Sequence, residues 1–152
     1  MQVSLTYTGG EDGASWQGLT PSGHTLTLDG SEEVGGQNKG PRPMELVLLG
    51  LGGCSAMDVL HILRKGRSEV VECTIEIQAQ RASTPPKVFT QIHLHYTVCG
   101  HSLRMKQVER AIQLSKDKYC SVSKMLESSA QITTSFDLTS SVVVSDEGDP
   151  NL

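Results

Sequence analysis

The stretch Pro43-Met44-Glu45-Leu46-Val47-Leu48-Leu49-Gly50-Leu51-Gly52-Gly53-Cys54-Ser55-Ala56-Met57-Asp58-Val59-Leu60-His61-Ile62-Leu63-Arg64-Lys65 decides how this chain is read. Pro43 suits the first position of a helix, and Glu45 meets the positive end of its dipole. Arg64 and Lys65 favour the negative end, and Gly66 offers a left-handed cap. One helix over 43–65 is predicted. It is apolar nearly all round from Leu46 to Met57, so burial on most sides is expected. Gly50, Gly52 and Gly53 each cost about 1 kcal/mol against alanine inside a helix. Close approach of another backbone, such as a partner subunit's helix, would justify them.

Working outward, Val3, Leu5 and Tyr7 alternate with polar residues, as in a half-buried strand. Residues 15–19 and 25–29 flank Thr20-Pro21-Ser22-Gly23, whose Pro and Gly suit a tight turn. These predict a three-strand meander followed by a flexible loop over 30–41, long enough to be suspected of function. Beyond the helix, Cys73, Ile75, Ile77 and Ala79 alternate with polar residues. Val88 to Val98 puts Ile92, Leu94 and Tyr96 on one face and His93 and His95 on the other. The two segments predict a long antiparallel hairpin. A helix over 103–119 follows, with Ser102 as N-cap and Val108, Ala111, Ile112 and Ser115 as its inner stripe. A short helix over 122–128 and a strand carrying Ile132, Thr134, Phe136 and Leu138 complete the order βββ–α–ββ–αα–β. The class is α+β, with one domain over 1–138 and a mobile tail over 139–152. Dimerisation would cover whatever part of the apolar helix the sheets leave open.

Composition narrows the function classes. The chain has 152 residues, 37% hydrophobic and 20% charged, within the globular range. Its net charge of −4 and lack of a basic run argue against nucleic-acid binding. The uncharged run Leu46–Met57 is 12 residues, too short to span a bilayer, and the N-terminus lacks a signal-peptide pattern. A cytoplasmic protein is expected. Cys54, Cys73, Cys99 and Cys120 form no C-x-x-C pair, so they are read as thiols rather than a zinc ribbon or thioredoxin-type motif. His93 and His95 lack a third ligand at recognisable spacing, and loop 35–40 has no following Gly-Lys-Ser/Thr. Neither a metal nor another cofactor is expected.

Two cysteines sit where chemistry is possible. Cys120 precedes a short helix, whose dipole would favour its thiolate. Cys54 is about ten residues into its helix, beyond that influence, and would need a cation from elsewhere. Asp58, one turn on and about 40° round, is a like charge for a thiolate there. His61 is roughly 10 Å along the helix, too far for a direct dyad. Pattern alone leaves Cys54 open between a small packing residue and a functional thiol. Glu45 most simply serves the helix N-terminus.

The motifs Pro43-Met44-Glu45-Leu46, Gly52-Gly53-Cys54-Ser55-Ala56-Met57-Asp58-Val59 and Lys118-Tyr119-Cys120-Ser121-Val122 resemble the osmotically inducible protein C / organic hydroperoxide resistance (OsmC/Ohr) family. The likeness covers about residues 1–138 and looks closest to the YhfA-like branch. It implies an intertwined homodimer with long central helices and a site at each interface. It also implies thiol peroxidase chemistry, with Cys54 attacking an organic hydroperoxide, Cys120 resolving, and an external dithiol resetting the pair. The chain departs from the pattern in two places. Met44 stands where well-studied members have a Glu after the Pro. Glu45 is about 180° round the helix from Cys54, against about 80° for Met44. No Arg precedes Arg42, so Lys39 and Arg42 are the substitutes available for the family's activating Arg. A non-catalytic binding protein, holding a small apolar or thiol ligand in the same pocket, is the alternative.

Overall fold

The computed structural model describes residues 1–11 and 13–140. The chain divides into two compact units, one over Met1–Gly50 and one from Leu51 onward. In the first, β1 (Ser4–Tyr7), β2 (Trp16–Leu19) and β3 (Thr25–Leu28) form the expected antiparallel meander. The Gly23 N–H closes the predicted turn onto the Thr20 carbonyl at 3.0 Å. The following loop, read as flexible, is organised around one carboxylate. Asp29 accepts the N–H groups of Gly30, Gln37 and Lys39 at 2.9, 2.8 and 3.0 Å. The Lys39 and Gln37 amides do most to hold its carboxyl down at about 2. A 3-10 turn at Glu32–Val34 fits between them.

Helix α1 spans Pro43–Lys65, the predicted bounds. The Arg42 carbonyl accepts the Leu46 N–H, and Glu45 Oε2 accepts the Arg42 N–H at 2.9 Å. That is one half of a capping box, and it gives Glu45 the structural role expected of it. At the other end the expected left-handed Gly66 is corrected. Its N–H still makes a helical bond to the Ile62 carbonyl, and Arg67 takes φ 59° instead. Arg67 N–H to Arg64 C=O and Ser68 N–H to Leu63 C=O complete a Schellman motif one residue later.

The expectation that α1 is buried on most sides is also corrected. Its buried residues are Leu51, Gly52, Ser55, Val59 and Leu63, a single row at near-helical spacing. Leu49 and Met57 are 65% and 74% exposed. One chain's sheet can cover only one stripe of a helix. A Cβ at Gly52 would lie 2.7 Å from Ile77 Cδ1, so a side chain, not a backbone, makes the close approach. At Gly50 and Gly53 a Cβ would meet nothing within 4 Å. By length and mean hydropathy α1 could cross a bilayer, a test that the core helices of soluble proteins also pass.

In the second unit β4 (Glu69–Arg81) and β5 (Phe89–His101) form the predicted hairpin, each longer than its alternating core. Ile92, Leu94, Tyr96 and Val98 are buried on the inner face. β6 (Gln131–Ser140) pairs with β5 in parallel. A parallel return needs a crossover, supplied by α2 (Met105–Leu114), a π turn (Ser115–Tyr119) and α3 (Ser121–Leu126). The helix expected over 103–119 starts later, at Met105, and reaches Tyr119 with its last turn π instead of α. Ser102 is not its N-cap, because it takes φ 55°, and Arg104 holds that position without a side-chain bond. The short helix starts at Ser121 and ends at Leu126, earlier than expected. Strand pairing continues to Ser140, and the rest of the segment read as a tail lies outside the described residues.

Candidate functional site

Three potential ligand or redox groups of the second unit converge. Cys54 and Asp58 stand one turn apart on α1. Cys120 is the N-cap of α3, presented just after the π turn, whose closing bond runs from the Cys120 N–H to the Ser115 carbonyl at 2.8 Å. Single π turns are frequent at functional sites. The two sulfurs and an Asp58 oxygen all lie within 4.8 Å of one another. Cys120 is fully buried and Cys54 half-buried. No cysteine among the described residues is in a disulfide.

The expectation of an acidic Cys120 is corrected. The Ser123 N–H does donate to its Sγ at 3.5 Å, as an N-cap position should allow. Burial nevertheless outweighs that bond and pushes the thiol up, and the neighbouring Cys54 pushes it the same way. A six-residue helix has a weak dipole to set against desolvation.

A buried hydroxyl chain supports the cluster. Tyr96 Oη and Ser55 Oγ are 2.6 Å apart, Ser55 Oγ and Ser115 Oγ 2.9 Å, and the Ser115 hydroxyl donates to Asp58 Oδ2 at 3.2 Å. Burial raises the Tyr96 phenol to about 12, so it stays a neutral hydrogen-bonding group. Alternation and helical spacing place Tyr96 and Ser115 on inner faces but do not encode that they meet. The available signal is a serine at 55 in a row whose other members, Leu51, Gly52, Val59 and Leu63, carry no polar side chain. Buried polar side chains need partners, so an inward Ser on an apolar stripe implies another polar group opposite.

The remaining candidates fall elsewhere. Lys39 and Arg42 belong to the first unit, where their N–H groups bond Asp29 and Glu45. His93 and His95 stand on the outer face of β5. His93 uses its ring nitrogens on Thr133 and Ser135, and His95 on Ser135 and Asp137. Cys73 lies opposite Val98 and Cys99 opposite Glu72. Burial raises the Cys73 thiol. Beside Asp58 opens a cavity of about 670 Å³, lined by Ile62, Leu63, Leu114 and Tyr119, with Lys65 and Arg110 on its wall.

A central helix bearing one cysteine, a second cysteine at the following helix pair, and two three-stranded sheets define a family. The chain belongs to the OsmC-like protein family, whose profile matches residues 36–135. It is 43% identical over 127 residues to protein YhfA of Escherichia coli K12, covering 84% of this chain and 92% of that one. A solved hypothetical protein from Aquifex aeolicus VF5 is 32% identical with a TM-score of 0.81, over 93% of this chain and 97% of that one. An organic hydroperoxide resistance protein OsmC from Legionella pneumophila shares the fold at 18% identity and a TM-score of 0.65, over 90% of this chain and 97% of that one.

Proposed function

We propose that this protein reduces organic hydroperoxides through a Cys54/Cys120 redox pair, in a reducing compartment such as the cytoplasm. The observation that carries the reading is the approach of the two sulfurs to within 4.8 Å. The half-buried Cys54 is the thiol a peroxide can reach. Its thiolate attacks one peroxide oxygen, the O–O bond breaks, and the alcohol leaves with the proton. The resulting sulfenic acid condenses with the Cys120 thiol, releasing water. The sulfurs must then close to about 2.05 Å. An external dithiol takes the disulfide back to two thiols by exchange. The burial that raises the Cys120 thiol suits a sulfur that attacks the sulfenic acid rather than the peroxide.

The reading includes a homodimer. Leu49 and Met57 on α1, and Gly50 and Gly53 beside them, form a face that no described residue covers. A second copy would supply it and could bring Arg42 or Lys39 to the thiols as the activating cation. One equivalent of cumene hydroperoxide added to the reduced protein, followed by mass spectrometry, is the test. Two thiols per chain should disappear from the wild type. Cys120→Ser should stop at the sulfenic acid, and Cys54→Ser should lose none at these positions. An unchanged thiol count at Cys54 and Cys120 in the wild type would end the proposal.

The cavity beside Asp58 favours a second reading, a binding protein for a small, partly apolar ligand, since about 670 Å³ is ligand-sized. A melting temperature raised by such a compound, and equally raised in Cys54→Ser, would select it.

A further inference from the structure

We infer that the reduced cluster of Cys54, Asp58 and Cys120 is a site for one thiophilic divalent cation of the zinc class, open only while the two cysteines are thiols. Two sulfurs and a carboxylate oxygen already lie within 4.8 Å of one another. Tetrahedral zinc, with bonds of about 2.3 Å to sulfur and about 2.1 Å to oxygen, needs its ligands roughly 3.5–3.8 Å apart. A shift of about 1 Å in side-chain torsions closes the difference. Cys54 and Asp58 share one helical turn, so two ligands come preset on a rigid element.

The surroundings are those of a held ligand set. The Ser115 hydroxyl donates to Asp58 Oδ2 at 3.2 Å and so holds the carboxylate in place. The Ser123 N–H donates to Cys120 Sγ at 3.5 Å and fixes that sulfur at the helix start. Such outer partners orient ligands and tune affinity. Ser115 is itself tied to Ser55, and Ser55 to Tyr96, so the carboxylate is anchored to the sheet. Thiolate ligands select zinc-like ions over magnesium or calcium. Three protein ligands leave the fourth position to water, the pattern of an exchangeable rather than a closed structural site.

No electrons move on binding. Two S–H bonds lose their protons to solvent, two metal–sulfur bonds and one metal–oxygen bond form, and bound water leaves the ion. A Cys54–Cys120 disulfide would remove both sulfurs at once, so metal and oxidant compete for one thiol pair. Motif spacing could not signal the site, because its ligands stand four and then 62 residues apart.

Cobalt(II) titration of the reduced full-length protein, with zinc as competitor, is the test. One equivalent per chain should give thiolate-to-cobalt charge-transfer absorption, displaced by zinc. Cys54→Ser or Cys120→Ser should weaken zinc binding by more than about 100-fold, and Ser115→Ala by about 10–100-fold. Cys73→Ser and Cys99→Ser should change nothing. Absence of the band in the reduced wild type would overturn the inference without reference to any variant's folding. So would a band that survives in Cys54→Ser or is lost in Cys73→Ser. The readout needs no peroxide. Cobalt binding without thiol loss to hydroperoxide would remove the redox proposal and leave this one standing, and the reverse result would do the opposite.

Discussion

The two three-stranded sheets meet their surroundings in opposite ways. On β5, Leu94 is 1% exposed, within an inner face that includes Ile92, Tyr96 and Val98. On the meander, Trp16 is 43% and Leu26 42% exposed, and no strand residue is buried. Both carry apolar residues in strand alternation. The second unit packs its own sheet against a row of α1, through Ile77 at Gly52 and Tyr96 at Ser55, and Cys54 and Cys120 stand close together beside it. The first unit has an ordered loop held by Asp29 but strands whose apolar residues stay exposed among the described residues. Apolar alternation therefore assigns residues to a face without deciding whether that face is buried.

Breaking the finished sheet should have the largest effect. Leu94→Ala should lower unfolding free energy by about 2–5 kcal/mol in urea titration. Leu26→Ala should change it by no more than about 0.5 kcal/mol at low protein concentration. A second copy covering the meander would make the Leu26→Ala loss grow as protein concentration rises. Equal losses at every concentration would erase the contrast between the sheets.

Next comes the hydroxyl chain. Ser55→Ala leaves the Tyr96 and Ser115 hydroxyls without their shared partner inside the core, at about 1–3 kcal/mol. The same variant should slow disulfide formation only if Ser115 then releases Asp58, which a thiol-trapping time course reads.

The pH limits of stability separate the units by sign. Asp29, held at about 2, contributes stability fully present above the ordinary carboxylate pKa of about 3.9 and lost as pH falls towards 2. Asp29→Asn should flatten that acid limb. Tyr96, raised to about 12, contributes stability fully present below about 10 and lost as pH climbs towards 12. Tyr96→Phe should flatten the alkaline limb and leave the acid one intact. Thermal melts across pH check both.

The smallest effect is expected at Gly53. With open space around it, Gly53→Ala should stabilise the isolated chain by up to about 1 kcal/mol through helix propensity alone. If a partner's helix packs there, sedimentation should instead reveal a weakened dimer.

Much of this molecule was written locally. Proline at 43, acid at 45 and bases at 64–65 define α1 because caps and dipole act within one turn. Alternation at 73–79 and 92–98 assigns strand faces because a pleat has period two. The motifs around Cys54 and Cys120 point to the family for the same reason, being short and contiguous. Packing decided the rest. A buried Cys120 loses its dipole advantage to desolvation, which no local pattern encodes. Ser55, Tyr96 and Ser115 become a chain to Asp58 only when segments 41 and 60 residues apart are stacked. The parallel pairing of β6 and the π turn that presents Cys120 depend on how the crossover must return to the sheet. Sequence sets which groups are available and which face each one takes. Only the closing of distant segments on one core sets which of those groups touch.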